Sequence, residues 1–270
     1  MAEFQNISLK TLTKDDEKKL ALQDSRGLVS DFNQRKLEIE AGKNWDKFYK
    51  RNGNRFFKDR HWTTREFKEL IDSSEKPVLF EVGCGVGNFF YPLLEDKLNF
   101  KIYACDISPR AIEMVKSNSL YNEEIINAFV CDLTKDDICI ESESVDLVSL
   151  IFVLSAILPN YFETILKKLF KVLRPGGLLL FRDYGVYDMA MIRFGPGSKL
   201  AEKLYVRQDG TRAYYFTVEE LHTLFTSVGF EVLFNEYVSR QTVNLKEGID
   251  AQRIFVQAKC IKPHQMTQPS

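Results

Sequence analysis

The sequence predicts an open α/β fold, a mostly parallel sheet covered by helices, and three observations carry that prediction. An apolar segment, Val78 to Val82, runs straight into three glycines spaced two apart: Gly83, Gly85 and Gly87. Two later apolar segments each end in a carboxylate, Ile102 to Asp106 and Ala128 to Leu133, the second containing Asp132. The run Val145 to Leu154 is apolar almost throughout, as expected of a parallel strand buried on both faces. With 270 residues, 44% of them hydrophobic, the chain can bury one substantial core, so one large domain with appendages is expected.

Residues 1 to about 40 are polar, with scattered leucines, and predict a mobile start followed by a short helix. In the 25 residues from Asn44 to Lys68, eight Lys or Arg stand against three acids and seven aromatics, which sets this stretch apart from a chain of net charge −1. Trp45, Phe48 and Tyr49 fall at i, i+3 and i+4 and share a helix face; Phe48 is expected to dock the extension, while Trp45 and Tyr49, with polar edges, suit a lid. Beyond Lys68 a helix is expected to lead into the strand at Val78. The run Val172 to Gly177, with its Arg-Pro-Gly-Gly, breaks a helix before a strand from Leu178 to Phe181. The connection from Arg182 to Thr217 is too long for an ordinary loop, and at the carboxyl edge of such a sheet it would form a substrate wall. A helix from Val218 to Ser227 and alternating strands from Glu231 to Val238 and Arg253 to Lys259 complete the domain, and residues 263–270 form a disordered tail.

The glycine spacing is G-x-G-x-G, whereas the dinucleotide fingerprint is G-x-G-x-x-G, so a nucleoside-like ligand is favoured over a dinucleotide. An acid at the position of Asp106 can accept both hydroxyls of a ribose, and one at Asp132 can accept from an adenine amino group. Ligands of open α/β sheets gather at the carboxyl ends of the strands, where all these residues fall.

The motifs Glu81 to Gly87, Asp106, Asp132-Leu133 and Leu173 to Gly177 resemble those of the class I S-adenosylmethionine-dependent methyltransferases over roughly residues 76–260. The resemblance implies their Rossmann-like fold, a mostly parallel seven-stranded sheet with an antiparallel last strand, here with an N-terminal helical extension. It implies S-adenosylmethionine as cofactor, with Gly83 and Gly85 facing its methionine part, Asp106 its ribose and Asp132 its adenine.

Arg51, Arg55, Lys58, Arg60 and Arg65 alternate with Phe56, Phe57, His61 and Trp62, a mixture that suits single-stranded RNA, where cations track phosphates and rings stack on bases. The same segment, with Val29 to Phe32, Asn44 to Asn52, Phe56 to Trp62, Phe181 to Gly185 and Val206 to Arg212, resembles a narrower family, the tRNA N3-methylcytidine methyltransferases. That resemblance spans nearly the whole chain and divides it into an RNA-binding extension (1–70), a methyltransferase domain (71–262) and the tail. It implies methylation of cytidine 32 in a tRNA anticodon loop, in serine tRNAs with seryl-tRNA synthetase as partner. It also implies that Trp45, Tyr49, Asp132, Leu133 and Ile151 line the cofactor pocket.

Cytosine N3 carries a free lone pair and needs no base to deprotonate it. In keeping with that target, the fourth strand is followed by no N/D-P-P-Y/F group for an exocyclic amine, and no Pro-Cys pair supplies a C5 nucleophile. N3 methylation leaves the base cationic, so a carboxylate nearby would help, and Asp183 is the candidate; Arg60 and Arg182 are candidates for holding phosphate or the cytosine O2. The five cysteines form no C-x-x-C pair and the three histidines lie far apart, so no metal site or disulfide framework is expected; Cys84, Cys105 and Cys131, near strand ends, are expected to pack without an electropositive neighbour. No membrane span and no leader is expected, since residues 1–20 hold Glu3, Asp15, Asp16 and Glu17, which places a monomeric protein in the cytoplasm with the nucleus left open. A small-molecule methyltransferase and a non-catalytic adaptor are the rival readings, but neither gives a reason for the basic aromatic extension together with an intact cofactor motif.

Overall fold

The computed structural model describes residues 5–53, 60, 62–71, 76–244 and 249–264. Its N-terminal segment forms β1 (Gln5–Ile7), α1 (Lys14–Gln23), α2 (Asp31–Ile39), α3 (Ala41–Asn52) and α4 (Thr63–Glu66). Alternation then follows through β2 (Val78–Val82), α5 (Phe90–Glu95), β3 (Lys101–Asp106), α6 (Pro109–Lys116), β4 (Ile126–Val130), β5 (Val145–Ile151), α7 (Phe162–Val172) and β6 (Leu173–Tyr184). After α8 (Met189–Ile192) come the short strands β7 (Lys199–Ala201), β8 (Leu204–Val206) and β9 (Arg212–Tyr214). The chain closes with α9 (Val218–Val228), β10 (Glu231–Asn244) and β11 (Ile249–Ile261).

The main sheet has the order β1-β10-β11-β6-β5-β2-β3-β4. The five strands β2 to β6 run parallel, and β11 inserts antiparallel between β6 and β10, as expected for the last strand. Seven strands are thus those expected, while the eighth is not: β1 pairs Gln5 to Ile7 with Tyr237 to Ser239 at the β10 edge. The start of the chain is therefore a strand and two helices. Pairing with the β10 edge satisfies backbone groups of both strands that would otherwise face solvent, which a polar composition does not reveal.

Packing explains the elements. β5 is buried along nearly its whole length between helical layers, and α7 buries Phe162, Ile165, Leu166, Leu169 and Val172, a stripe at helical spacing. Ser108 and Thr217 cap α6 and α9 through their hydroxyls, and Gly229 ends α9 in the left-handed conformation.

Three expectations need correction. The described part of the helix expected beyond Lys68 is a single 3₁₀ turn, Lys68–Leu70, because Phe67 leaves helical geometry and buries its ring, with Leu70, in a cluster with Phe89, Phe90 and Phe100; residues 72–75 lie outside the described residues. The run from Val145 stops being a strand at Ile151, where Phe152 takes a positive φ and the chain turns into a 3₁₀ turn, Leu154–Ala156. The long connection after β6 is largely structured: β7, β8 and β9 form a separate antiparallel sheet, and β6 itself extends to Tyr184. The 263–270 tail lies mostly outside the described residues.

Candidate active site

At the carboxyl ends of β2, β3, β4 and β5 one cavity opens, lined among others by Trp45, Tyr49, Arg60, Gly83, Gly85, Asp106, Asp132, Leu133 and Ile151. Nine of the eleven expected site residues are thus brought together from separate elements, and the sheet is what assembles them.

The glycine loop leaves β2 with φ of 60° at Gly83 and 56° at Gly85. A β-carbon on Gly83 would stand 2.6 Å from a methyl of Val153, so the backbone approaches the β5 turn as closely as only glycine allows. Asp106 fixes this loop. One carboxylate oxygen accepts from the Gly85 amide at 2.9 Å and the other from the Ser108 amide at 2.9 Å. Each oxygen keeps a second lone pair for a ligand hydroxyl. Burial pushes the Asp106 carboxyl up to about 6 against the pull of these amides. Asp132 lies just past β4; burial raises its carboxyl, but hydrogen bonds from Lys135 and Thr134 outweigh that and leave it below the ordinary value. Glu81, within β2, is buried beneath the loop and pushed up to about 8, burial dominating over the nearby Arg60 charge. Its Oε2 makes no hydrogen bond among the described residues.

Helix α3 roofs the glycine loop. Phe48 and Tyr49 are buried with Val86 and Ala111, and Trp45 packs against both rings, so Phe48 does dock the extension. Asp46 accepts from the Ser108 hydroxyl at 3.0 Å and the Arg110 amide at 3.2 Å, pinning α3 to the start of α6. Asn44 donates to the Gly210 carbonyl at 3.3 Å, Gln23 to the Met191 carbonyl of α8 at 2.9 Å and Gln34 to the Leu200 carbonyl of β7 at 3.2 Å, so the extension shares the interior of the α/β unit. The outward face of α3 is different: its exposed residues are Lys43, Lys47, Lys50 and Arg51.

Arg60 lines the cavity, donating to the Ile151 carbonyl at 3.3 Å with its guanidinium 5.5 Å from the Phe152 ring centre. Arg182 and Asp183 do not line it, and the placement corrects both expectations. The Arg182 side chain is fully buried, 4.1 Å from the Trp62 ring centre and bonded to Glu66 and Gln257, where it ties α4 to the sheet. Asp183, also fully buried, accepts from the amides of Ser155 at 2.8 Å and Tyr184 at 2.9 Å, so it holds the turn after β5; burial pushes it up to about 6. Strand alternation is the reason: Arg182 and Asp183 point to opposite faces of β6 before the strand ends, and the strand ends only at Tyr184.

Several cavity residues carried no assigned role in the sequence: Phe152, Tyr184, Arg207, Thr211 and Arg212. Phe152 and Tyr184 meet at 5.2 Å, and the Arg207 guanidinium lies 5.6 Å from the Tyr184 ring centre. A positive φ on a residue as bulky as Phe152 is a true outlier, held by β5 and the Asp183 turn. Tyr184, Arg207, Thr211 and Arg212 come from the long connection expected to form a substrate wall. In the basic segment Arg51 pairs with Asp209 and Arg65 with Glu66; Arg55, Phe56, Phe57, Lys58 and His61 lie outside the described residues. Among the described residues no group of three or more His, Cys, Asp or Glu could hold a metal ion, and no helix is long and apolar enough to cross a membrane. Among the thiols, burial raises Cys84, whereas Cys131 is lowered by Cys105 beside it, against burial and the Asp136 carboxylate, so neither thiol gains a net electropositive neighbour.

The model of a methyltransferase domain matches residues 80–179. The human tRNA N(3)-cytidine methyltransferase METTL6 is 54% identical over 277 aligned positions, which cover 100% of this chain and 97% of that one. The tRNA N(3)-methylcytidine methyltransferase trm141 of Schizosaccharomyces pombe is 45% identical, over 85% of this chain and 95% of its own. Among solved structures, a SAM-dependent methyltransferase from Anabaena variabilis superposes with a TM-score of 0.58 at 17% identity, covering 82% of this chain and 94% of its own. The 1,6-didemethyltoxoflavin-N1-methyltransferase of Burkholderia thailandensis, bound to S-adenosylhomocysteine, gives 0.54 at 15% identity over 97% and 96% of the two chains. At such identities the two structures speak to the fold alone.

Proposed function

This chain belongs to the tRNA N3-cytidine methyltransferase family, and from that premise we propose that it methylates cytidine 32 of serine tRNAs, with seryl-tRNA synthetase as its partner. The enzyme is an S-adenosylmethionine-dependent tRNA cytidine-N3 methyltransferase; the position, the isoacceptors, the partner and a site of action in the cytoplasm are the proposal. The single observation that carries an RNA substrate is α3, whose aromatic face roofs the glycine loop while its other face exposes only Lys and Arg. A small-molecule enzyme has no use for that stripe beside its cofactor.

The residues present fit the cofactor. The glycine loop offers backbone where a β-carbon would collide, and Asp106, with one amide on each oxygen, keeps lone pairs for a ribose. Gly83, Gly85, Asp106, Asp132, Leu133 and Ile151 would hold it, with Trp45 and Tyr49 closing over it. When bound, S-adenosylmethionine supplies an electrophilic methyl group on a sulfonium. The chain's own task is then to position a nucleophile that already carries its lone pair. Phe152 and Tyr184 line the cavity as an aromatic pair against which a base could pack. Arg60 and Arg207 put positive charge where a phosphate or the cytosine O2 would lie, and the roof of α3 keeps water from the reacting atoms.

The test is methylation of a serine tRNA transcript by the purified full chain, with and without seryl-tRNA synthetase, read by nucleoside mass spectrometry. The expected product is N3-methylcytidine, abolished by cytidine 32→uridine and formed faster with the synthetase. Product unaffected by that change would remove position 32, and equal rates over a range of synthetase concentrations would remove the partner.

A further inference from the structure

Among the described residues four carboxylates line the cavity: Glu38, Asp106, Asp132 and Asp209. Asp106 and Asp132 belong to the cofactor wall. Glu38 of α2 pairs with the buried Arg212 of β9, whose Nε also donates to the Ala156 carbonyl at 3.2 Å. Asp209 is the one whose position the cofactor does not explain.

It sits in the turn between β8 and β9, and that turn holds it in place. Its Oδ1 accepts from the Thr211 amide at 3.0 Å and the Thr211 hydroxyl at 2.7 Å, while the turn closes through the Gly210 amide on the Arg207 carbonyl at 3.0 Å. Gly210 has a φ of 81°, and a β-carbon there would stand 2.7 Å from Nδ2 of Asn44, so α3 packs directly on the turn. Among the described residues Oδ2 meets only Arg51, at 3.5 Å, and that arginine side chain is largely exposed. The turn stands on the side of the cavity away from the glycine loop's own strand: the Arg207 guanidinium, two residues before Asp209, lies against Tyr184 at the end of β6, and Tyr184 meets Phe152 directly after β5.

We propose that Asp209 accepts a hydrogen bond from the exocyclic amine of the acceptor cytosine and faces the charge of the methylated base, the part expected of Asp183. The inference rests on the cytidine-N3 reading of the site. Cytosine presents an N4 amine that donates, a natural partner for a carboxylate, whereas uridine presents the O4 acceptor. A carboxylate in reach of N4 therefore favours cytosine and repels uridine. Transfer forms a bond from N3 to the methyl carbon and breaks the bond from that carbon to sulfur, whose electron pair stays on sulfur. No proton leaves, so the positive charge passes to the pyrimidine and is shared between N3 and N4. A carboxylate fixed beside N4 by Thr211 meets that charge where it develops, with no reorganisation at the moment of transfer. Asp183 does not take this part, because it is fully buried and lies outside the cavity lining.

The experiment compares the wild-type full chain with Asp209→Asn, which keeps the shape of the side chain and an acceptor for the Thr211 donors. Three quantities are read: the rate of N3-methylcytidine formation, the affinity for tRNA with cytidine or uridine at the acceptor position, and S-adenosylhomocysteine affinity by calorimetry. The expected results are kcat lowered about a hundredfold with KM for tRNA changed far less, and unchanged S-adenosylhomocysteine affinity. The preference for cytidine over uridine should narrow, because the asparagine amide donates to O4. A residue that only braced the turn would weaken both tRNAs alike. The wild-type chain should also bind a tRNA carrying 2-pyrimidinone at the acceptor position, which lacks the amine, about tenfold or more weakly; this arm holds even if the variant folds poorly. Wild-type kcat in Asp209→Asn, an unchanged ratio of cytidine to uridine affinity, a loss traced to S-adenosylhomocysteine affinity, or equal binding of the 2-pyrimidinone tRNA would overturn the proposal. A wild-type chain that forms no N3-methylcytidine would instead overturn the substrate reading beneath it, so the two failures are distinct.

Discussion

The Tyr49 hydroxyl stands 2.9 Å from where a β-carbon on Gly85 would lie, so the roof helix and the cofactor loop are fitted to each other at a single point. Gly85→Ala meets two penalties: that contact, and a φ of 56°, which costs an L-residue about 1–2 kcal/mol. Calorimetry should show S-adenosylhomocysteine affinity lowered about tenfold or more, with partial recovery in Gly85→Ala/Tyr49→Phe, which removes the colliding oxygen but not the strain. Wild-type affinity in the single variant would mean that the ligand does not lie on this loop.

Cofactor affinity should fall with acidification through about 6, the value to which burial raises Asp106. The carboxylate form accepts ribose hydroxyls and the protonated form loses an acceptor, so binding is strong above that value and weakens below it. Asp106→Asn should bind weakly and without this pH dependence. A flat profile for the wild-type chain from pH 5 to 8 contradicts the role.

Stability of the cofactor-free chain should carry a second pH signature, from Glu81. Its folded-state value, about 8, lies above the unfolded 4.5, so the folded chain binds the extra proton between them. The contribution is fully present below 4.5 and is lost as pH rises through about 8, with a slope of at most about 1.4 kcal/mol per pH unit. Denaturant unfolding from pH 6 to 9 should show stability declining, and Glu81→Gln should flatten the decline. Identical pH profiles for the two proteins would reject the assignment.

Asp183→Ala should destabilise the fold by about 1–3 kcal/mol, since the buried Ser155 and Tyr184 amides lose their acceptor. Because the turn it holds carries Ser155 and Ala156 into the cavity wall, transfer should fall as well. Arg182→Met should cost stability without selectively weakening tRNA affinity, since the guanidinium is enclosed by Trp62, Glu66 and Gln257. Loss of tRNA binding at unchanged stability would return Arg182 to the substrate site.

The α3 stripe should set the salt dependence of tRNA binding. Among the described residues Lys47 and Lys50 have no ion-pair partner, whereas Lys43 faces Glu40 and Arg51 faces Asp209. Lys47→Gln and Lys50→Gln should each lower the slope of log affinity against log salt by about 0.7–0.9. Unchanged slope and affinity in the double variant would make the stripe a solvated surface.

The sequence by itself determined the sheet and most of the cavity. Gly83, Gly85, Asp106, Asp132 and Ile151 sit at strand ends, and strand ends are legible because apolar runs and glycine or acidic stops are local signals. Trp45 and Tyr49 were legible from their helical spacing and the family resemblance. Tertiary structure decided what local pattern cannot carry. Whether a residue near the end of β6 faces the cavity or the interior depends on where that strand stops, and its three extra residues, Arg182, Asp183 and Tyr184, turned Arg182 and Asp183 from site candidates into braces. Phe152 and Arg207 reached the cavity through a left-handed turn and a second small sheet, both held by contacts from residues far away in the chain.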